Sequence, residues 1–313
     1  MTLAAVTLSH SPLMDFSEPG PGVRDRVEAA FADARAFIEA FAPDVVVLFG
    51  PDHYNGFLYD LMPPFCVGRA AQAIGDYRTA KGTVLVDHDA AAVIAEKVLD
   101  AGIDIAISES MYVDHGFVQP LQVLFGGIDR IPVVPVFINC VAVPLGPVRR
   151  VRLLGEAIGR AAGALNRRVL VVGSGGLSHD PPLPMLAGAS PEVAARLIST
   201  GRHLTPQQRA DRERRVIEAG RAYAAGRLTV APLNPEWDRR LLDILAGGDL
   251  TELDAWTPDS FAAQAGHSSH EARTSIAAYA ALSTQGPYDT VSSFYEEIPD
   301  WIAGFAVTTA QTR

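Results

Sequence analysis

Of the eight histidines in this chain, four occupy equivalent places in the local pattern. His10 follows an apolar run, Leu3–Leu8, in Leu-Ser-His-Ser-Pro. His53 follows the run Asp44–Phe49, in Gly-Pro-Asp-His-Tyr. His115 follows the Ile103–Ile107 region, in Val-Asp-His-Gly-Phe. His179 follows Val169–Val172, in Gly-Ser-Gly-Gly-Leu-Ser-His-Asp. If these runs are strands of an open α/β sheet, their ends converge on one crevice, where ligands usually bind. Imidazoles gathered there would make a metal or an acid–base site, because neutral imidazole ligates iron and zinc and histidine titrates near neutral pH. A lone loop histidine is more often a surface or hydrogen-bonding residue, so the joint pattern carries the weight. No short metal motif such as H-E-x-x-H is present, and position alone leaves a metal site and ordinary loop histidines evenly balanced. The other four look ordinary: His88 lies between two acids at a helix start, and His203 lies in a polar loop. His267 and His270 flank Ser268 and Ser269, where either could stand near the pocket.

Two further features invite chemistry. Gly173-Ser174-Gly175-Gly176 approaches the dinucleotide fingerprint G-x-G-x-x-G. Ser178 replaces its last glycine, and Pro181-Pro182 prevent a helix from starting where a pyrophosphate would need one. A serine elbow fails too, since 176–180 ends in Asp180. The expected role is a tight turn that lets backbone or substrate come close. Glu271 has two competing readings. Ser268-x-x-Glu271 matches a helix capping box, the favoured reading on the residues alone. A carboxylate at a helix N-terminus is also held ionised, which suits a metal ligand. Both roles need the same oxygens.

The elements that must position these groups follow from periodicity. Leu3–Leu8, Asp44–Phe49, Val84–Val86, Ile103–Ile107, Val133–Ile138 and Arg168–Val172 read as strands, several of them buried on both faces. Helices are expected over 23–41, with Val23, Val27, Phe31, Ala34, Ile38 and Phe41 on one stripe, and over 90–101 and 149–165. Beyond Leu177 the pattern is mostly helical. Thr205-Pro206 opens a charged helix to about Ala225, Asn234-Pro235 opens one that stops near Gly247-Gly248, and Ser268 begins a last one through Leu282. The alternation predicts an α/β fold, a central, mostly buried sheet flanked by helices, with a helical C-terminal part and all 313 residues in one domain.

Composition narrows the function. Hydrophobic residues make up 48% and the formal net charge is −10. A nucleic-acid partner is not expected, because that needs a basic face, and the run Arg212, Arg214, Arg215 is interleaved with Asp211 and Glu213 as on a solvated helix. The two cysteines, Cys66 and Cys140, form no disulfide framework and fit a reducing cytoplasm. No signal peptide is read at the N-terminus. The most apolar segment, Ile131–Val148, contains four prolines and cannot be a membrane helix.

Several of these segments together resemble a known family. Ser9-His10-Ser11-Pro12, Pro51-Asp52-His53-Tyr54-Asn55-Gly56, Asp114-His115-Gly116-Phe117 and Gly173-Ser174-Gly175-Gly176-Leu177-Ser178-His179 resemble the class III extradiol dioxygenases of the LigB superfamily. Asn234-Pro235-Glu236-Trp237 and the stretch from Ala265-Gly266 to His270-Glu271 fit as well. The similarity runs from Leu8 to Pro299-Asp300-Trp301-Ile302-Ala303-Gly304-Phe305. The resemblance implies a LigB-like fold and Fe(II) held by His10, His53 and Glu271, which displaces the capping reading of Glu271. It implies His115 and His179 as an acid–base pair, a catechol and O2 as reactants, and a homo-oligomer. A propionate or propenoate tail on the catechol would need a cation or donors. Arg69, Arg78 and Arg273 are the arginines considered for it. Tyr288, Phe294, Tyr295, Trp301 and Phe305 either wall the pocket or pack in the core. The rival functions are a zinc hydrolase on the same ligands and a non-enzymatic binding protein of the same fold.

Overall fold

The computed structural model describes residues 3–313. The chain begins with β1 (Leu3–Leu8), α1 (Val23–Phe41) and β2 (Val45–Gly50). It continues through β3 (Phe65–Gly68), β4 (Ala71–Ile74), β5 (Lys81–Thr83), α2 (His88–Asp100), β6 (Ala106–Ser108) and β7 (Met111–Val113). Then come α3 (His115–Phe125), β8 (Val133–Ile138), α4 (Val148–Gly163) and β9 (Val169–Ser174). The helical part holds α5 (Pro191–Ile198), α6 (Pro206–Ala224), α7 (Pro235–Gly247), α8 (Pro258–Ala265) and α9 (Arg273–Ser283). Two long strands, β10 (Tyr288–Ile298) and β11 (Ala303–Thr312), follow.

Eight strands form the main sheet in the order β10-β11-β1-β9-β2-β8-β3-β6. Its centre, β1, β9, β2 and β8, is parallel, and every residue of those four strands is buried. Their Val-rich runs suit this, since a strand covered on both faces needs apolar residues at every position. Side chains alternate between two cores. Val45, Val47 and Phe49 face α2, α4, α7 and α9, whereas Val46 and Leu48 face α1 and α3. On the first face, α4 lies directly on α9, because a Cβ at Gly155 or Gly159 would run into the Ala277 or Ala281 carbonyl. A small second sheet, β5-β4-β7, stands beside the large one.

Thr205 caps α6 through a full capping box with Gln208, and Asn234 caps α7. Three expectations need correction. Val84–Val86 is not a strand: Val86 makes a single bridge to Val133, and the strand there is the preceding Lys81–Thr83. The strand expected over Ile103–Ile107 is confined to Ala106–Ser108 at the sheet edge. The last helix does not start on a Ser268 cap. His267–Ala272 is a 3-10 turn, Ser268 Oγ has no hydrogen-bond partner, and α9 begins at Arg273. Both cysteines are free and buried. Among the described residues no helix is long and apolar enough to cross a membrane.

Candidate active site

Three of the histidines arrive as expected, at the C-terminal ends of adjacent parallel strands. β1 leads to His10, β2 to His53 and β9 to His179. His115 comes by another route. It follows β7 of the small sheet and is the first residue of α3, with Asp114 as N-cap. The 3-10 turn before α9 brings Glu271 to the same point.

The turn after β9 shows why it is glycine-rich. A Cβ on Gly175 would lie 2.5 Å from the Glu271 carbonyl oxygen. Gly176 N–H donates to Glu271 Oε2 at 3.1 Å. The close approach expected of this turn is therefore that of the backbone carrying Glu271. After β2, Asp52 accepts from the backbone N–H groups of Asn55, Gly56 and Phe57 and shapes the loop that presents His53. Burial, with the Asp114 charge nearby, pushes the Asp52 carboxyl up to about 7.

All four imidazoles are held the same way. His10 Nδ1 meets Ser174 Oγ at 2.9 Å, and that hydroxyl donates its only hydrogen to the Gly116 carbonyl at 2.6 Å. Ser174 can then only accept, so His10 carries its hydrogen on Nδ1. His53 Nδ1 donates to Asp114 Oδ2 at 3.1 Å, and His115 Nδ1 donates to Asp76 Oδ2 at 2.6 Å. His179 Nδ1 donates to the Leu177 carbonyl at 2.9 Å. In the neutral ring every Nε2 is left with its lone pair.

Three of those Nε2 atoms surround one carboxylate. Glu271 oxygens lie 3.4 Å from His10 Nε2, 3.1 Å from His53 Nε2 and 3.2 Å from His179 Nε2. His115 stacks on His53 with ring centroids 4.3 Å apart. One ring nitrogen from each of His10, His53 and His115 falls within 4.8 Å of the others. Burial opposes charge on Glu271, but His179 and His10 outweigh it and hold the carboxyl well below its usual range. Burial lowers His10 to about 3, so that ring is neutral. Burial also opposes the His53 imidazolium, yet Asp114 and Glu271 raise that ring well above the ordinary value. For His179 burial is again outweighed, chiefly by Glu271, and the net direction is upward.

This donor set fits a divalent transition metal. A buried carboxylate faces the Nε2 atoms of imidazoles whose Nδ1 is anchored elsewhere, and among the described residues no lysine or arginine pairs with it. Asp76, Asp114 and His115 also cluster within ligating distance. Their oxygens already accept N–H groups: Asp76 from His115 N and Nδ1, Asp114 from Gly116 N, His53 N and Asn55 Nδ2. That second cluster positions the histidines.

A cavity of about 330 Å³ opens over the site, lined by His10, His53, His115, His179 and Glu271, within the range of small-molecule pockets. All five residues singled out in the sequence therefore share it. The arginines considered for a substrate tail do not. Arg69 pairs with Glu109, Arg78 lies over Phe16, and Arg273 is buried against the Gly146 carbonyl beside a separate, smaller cavity. The arginines in the main cavity are Arg196, Arg212 and Arg215, two of them from the segment read as a solvated helix face. Of the aromatic residues considered, only Trp301 reaches the cavity; Tyr54 and Tyr77, not considered, line it too. Phe305 packs on Phe31, Tyr288 bonds to the Leu245 carbonyl, and Tyr295 bonds to Asp238. His270 stacks on Phe261, and His267 is exposed beside Asp180. His88 pairs with Arg69 at the surface. Sequence reasoning missed Asp76, Asp114 and Ser174 as anchors. Only Asp114, adjacent to His115, left any local signal.

Residues 4–306 match the family model described as the catalytic LigB subunit of aromatic ring-opening dioxygenase. A protein of Rhodococcus jostii named 2,3-dihydroxyphenylpropionate/2,3-dihydroxicinnamic acid 1,2-dioxygenase is 60% identical over 310 residues, covering 99% of this chain and 98% of its own length. A Rhodococcus protein of the same name is 61% identical with the same coverage. One from Mycolicibacterium gilvum, also so named, is 53% identical over 99% of this chain and 98% of its own.

Proposed function

Because this chain belongs to the family of catalytic LigB subunits of aromatic ring-opening dioxygenases, we propose that it uses Fe(II) and O2 to open a catechol ring beside its diol. The substrate proposed is 3-(2,3-dihydroxyphenyl)propionate, or the corresponding propenoate, and the product a hydroxy-keto-dienedioate. Full-length relatives that carry this substrate in their names support the choice. The uninterrupted family match supports one functional domain.

The observation that carries the reading is the common locking of four imidazoles through Nδ1, three of which turn Nε2 toward one buried carboxylate. His10, His53 and Glu271 would hold the iron. When bound, ferrous iron would supply a redox-active centre at which a catechol and O2 could react. The protein's own groups do the rest. His179 takes the proton that a catechol hydroxyl loses on binding. His115 returns a proton to an oxygen of the opening ring, all oxygens staying in the product, with Asp76 fixing its ring through Nδ1. The cavity wall of Leu13, Leu183, Leu197 and Ile302 keeps bulk water away and strengthens these charge effects.

General acid–base help of this kind contributes roughly 10²–10⁴-fold per group. His115→Ala and His179→Ala should each bind metal normally and lose turnover on that scale; full activity in either removes that residue from the mechanism. The decisive experiment is anaerobic loading with Fe(II), addition of 3-(2,3-dihydroxyphenyl)propionate, then O2. Stoichiometric oxygen uptake with a yellow ring-opened product is expected. An iron-loaded protein that consumes no oxygen with any substituted catechol would refute the assignment, and hydrolysis without oxygen would favour the zinc reading.

A further inference from the structure

We propose that Arg196 and Arg215 form an anion-binding subsite at the rim of the cavity that takes the carboxylate of an acidic side chain on the substrate, with Arg212 as its positioning residue. This rests on the reading of the cavity as a catechol site and deepens it.

Arg196 comes from α5 and Arg212 and Arg215 from α6, and all three line the cavity that holds the histidines and Glu271. Among the described residues none of the three pairs with a carboxylate. Neighbouring arginines do: Arg202 reaches Asp60 and Arg214 reaches Asp211. Two of the nearby acids, Asp211 and Glu213, are engaged elsewhere. Asp211 Oδ1 accepts from Gln207 and Arg214, and Glu213 Oε1 accepts from Tyr77 N–H. Three like charges thus share one rim with no carboxylate bonded to them, although Glu192 on the same helix as Arg196 partly offsets that charge. Burial, then Arg212 and Arg215, lower the Arg196 guanidinium from its ordinary value, in keeping with their closeness. In a protein of formal net charge −10, such a cluster calls for an anion.

Hydrogen bonding divides the work. Arg212 is committed: it donates to the His53 carbonyl and, at 3.2 Å, to Asn55 Oδ1, tying α6 to the loop that carries His53. Arg215 spends its Nε–H on the Asp211 carbonyl and leaves both terminal nitrogens free. The Arg196 guanidinium donates to nothing among the described residues. A free guanidinium fork is the geometry that binds a carboxylate with two parallel hydrogen bonds. Depth fits as well. His10 and Glu271 are buried at the floor, Arg196 is half-buried and Arg215 is exposed. Leu183, Leu197 and Val216 line the cavity with them. A catechol on the floor would place its ring among apolar groups and its acid tail at the rim.

The test compares the acid with its neutral primary amide. Loss of one charge-assisted contact should lower the acid-to-amide ratio of kcat/KM by roughly 10- to 100-fold. Arg196→Gln and Arg215→Gln should show that loss, mainly through KM for the acid, and Arg215→Lys should keep part of the preference. Binding of 3-phenylpropionate, which lacks both hydroxyls, to the metal-free protein should be measured by calorimetry. Wild type should bind it, and the Arg196→Gln, Arg215→Gln double variant should not. Equal losses on acid and amide, or unchanged phenylpropionate binding in the double variant, overturn the subsite. If wild type binds phenylpropionate through these arginines but cleaves no catechol, the ring-opening reading fails and the anion site stands.

Discussion

At the scale of single residues, the site is controlled by groups that touch neither metal nor substrate. Asp114 and Asp76 each hold the Nδ1 of a different ring, although Asp114 also caps the helix that His115 begins. Asp114 holds His53, a proposed ligand, so Asp114→Asn should weaken metal affinity by roughly 10–100-fold. Asp76 holds His115, which is not a proposed ligand. Asp76→Asn should leave metal affinity intact and lower turnover. A metal titration and a turnover assay on both variants distinguish these outcomes, and identical phenotypes would show that the two clamps are not specialised. The proton on His53 yields a further prediction. Asp114 and Glu271 raise this imidazole, so in the metal-free protein it keeps its proton above the usual pH. Metal needs the neutral ring, so metal and proton compete, and affinity must rise as pH rises. The apparent metal Kd should go on falling as pH rises above the ordinary imidazole range, with proton release on binding. A pH-independent Kd would contradict the competition.

At the scale of elements, the parallel strands and their histidines were legible because a doubly buried strand leaves an unbroken apolar run. Leu3–Leu8 and Val133–Ile138 have the boundaries that their patterns predict. Glu271 was not legible from the residues alone. Its spacing from Ser268 imitates a capping box, but the segment winds as a 3-10 turn and frees the carboxylate. The residues left both readings open and favoured the cap; the family resemblance turned the preference toward a metal ligand. Arg212 and Arg215 were misread for a related reason. Helical charge alternation implies a solvated face, and periodicity cannot show that part of that face lines a cavity. The turn after β9 supports an element-scale prediction. Gly175→Ala would press a methyl group on the Glu271 backbone. Overpacking of this kind typically costs about 1–3 kcal/mol, so a lower melting temperature together with weaker metal binding is expected. A variant that melts and binds metal like wild type would show that the close approach is not needed.

At the scale of the whole molecule, the α/β class followed from alternation, while β10 and β11 escaped it. β11 is buried from Ala303 to Ala310 yet includes Thr308 and Thr309, whose hydroxyls meet Thr7, Tyr279 and Ser292. Hydrogen bonding disguises a core strand as a polar segment. This strand pairs with β1, and Gly304 exchanges backbone hydrogen bonds with Leu177 and Ser178 beside His179. Truncation after Ile298 should therefore abolish cooperative unfolding and metal binding together; a folded, metal-binding truncation would show that β1 stands without its neighbour.

The catalytic floor and the cationic rim come from different parts of the chain. The floor is drawn from strand ends, α3 and the turn before α9, whereas Arg196, Arg212 and Arg215 sit on the excursion between β9 and α7. Exchanging that excursion for one from a homologue, with the Asn55 and His53 contacts to Arg212 retained, would retool which substituent is admitted and leave the proposed ring-opening chemistry in place. The architecture thus works as a fixed tool with a replaceable grip.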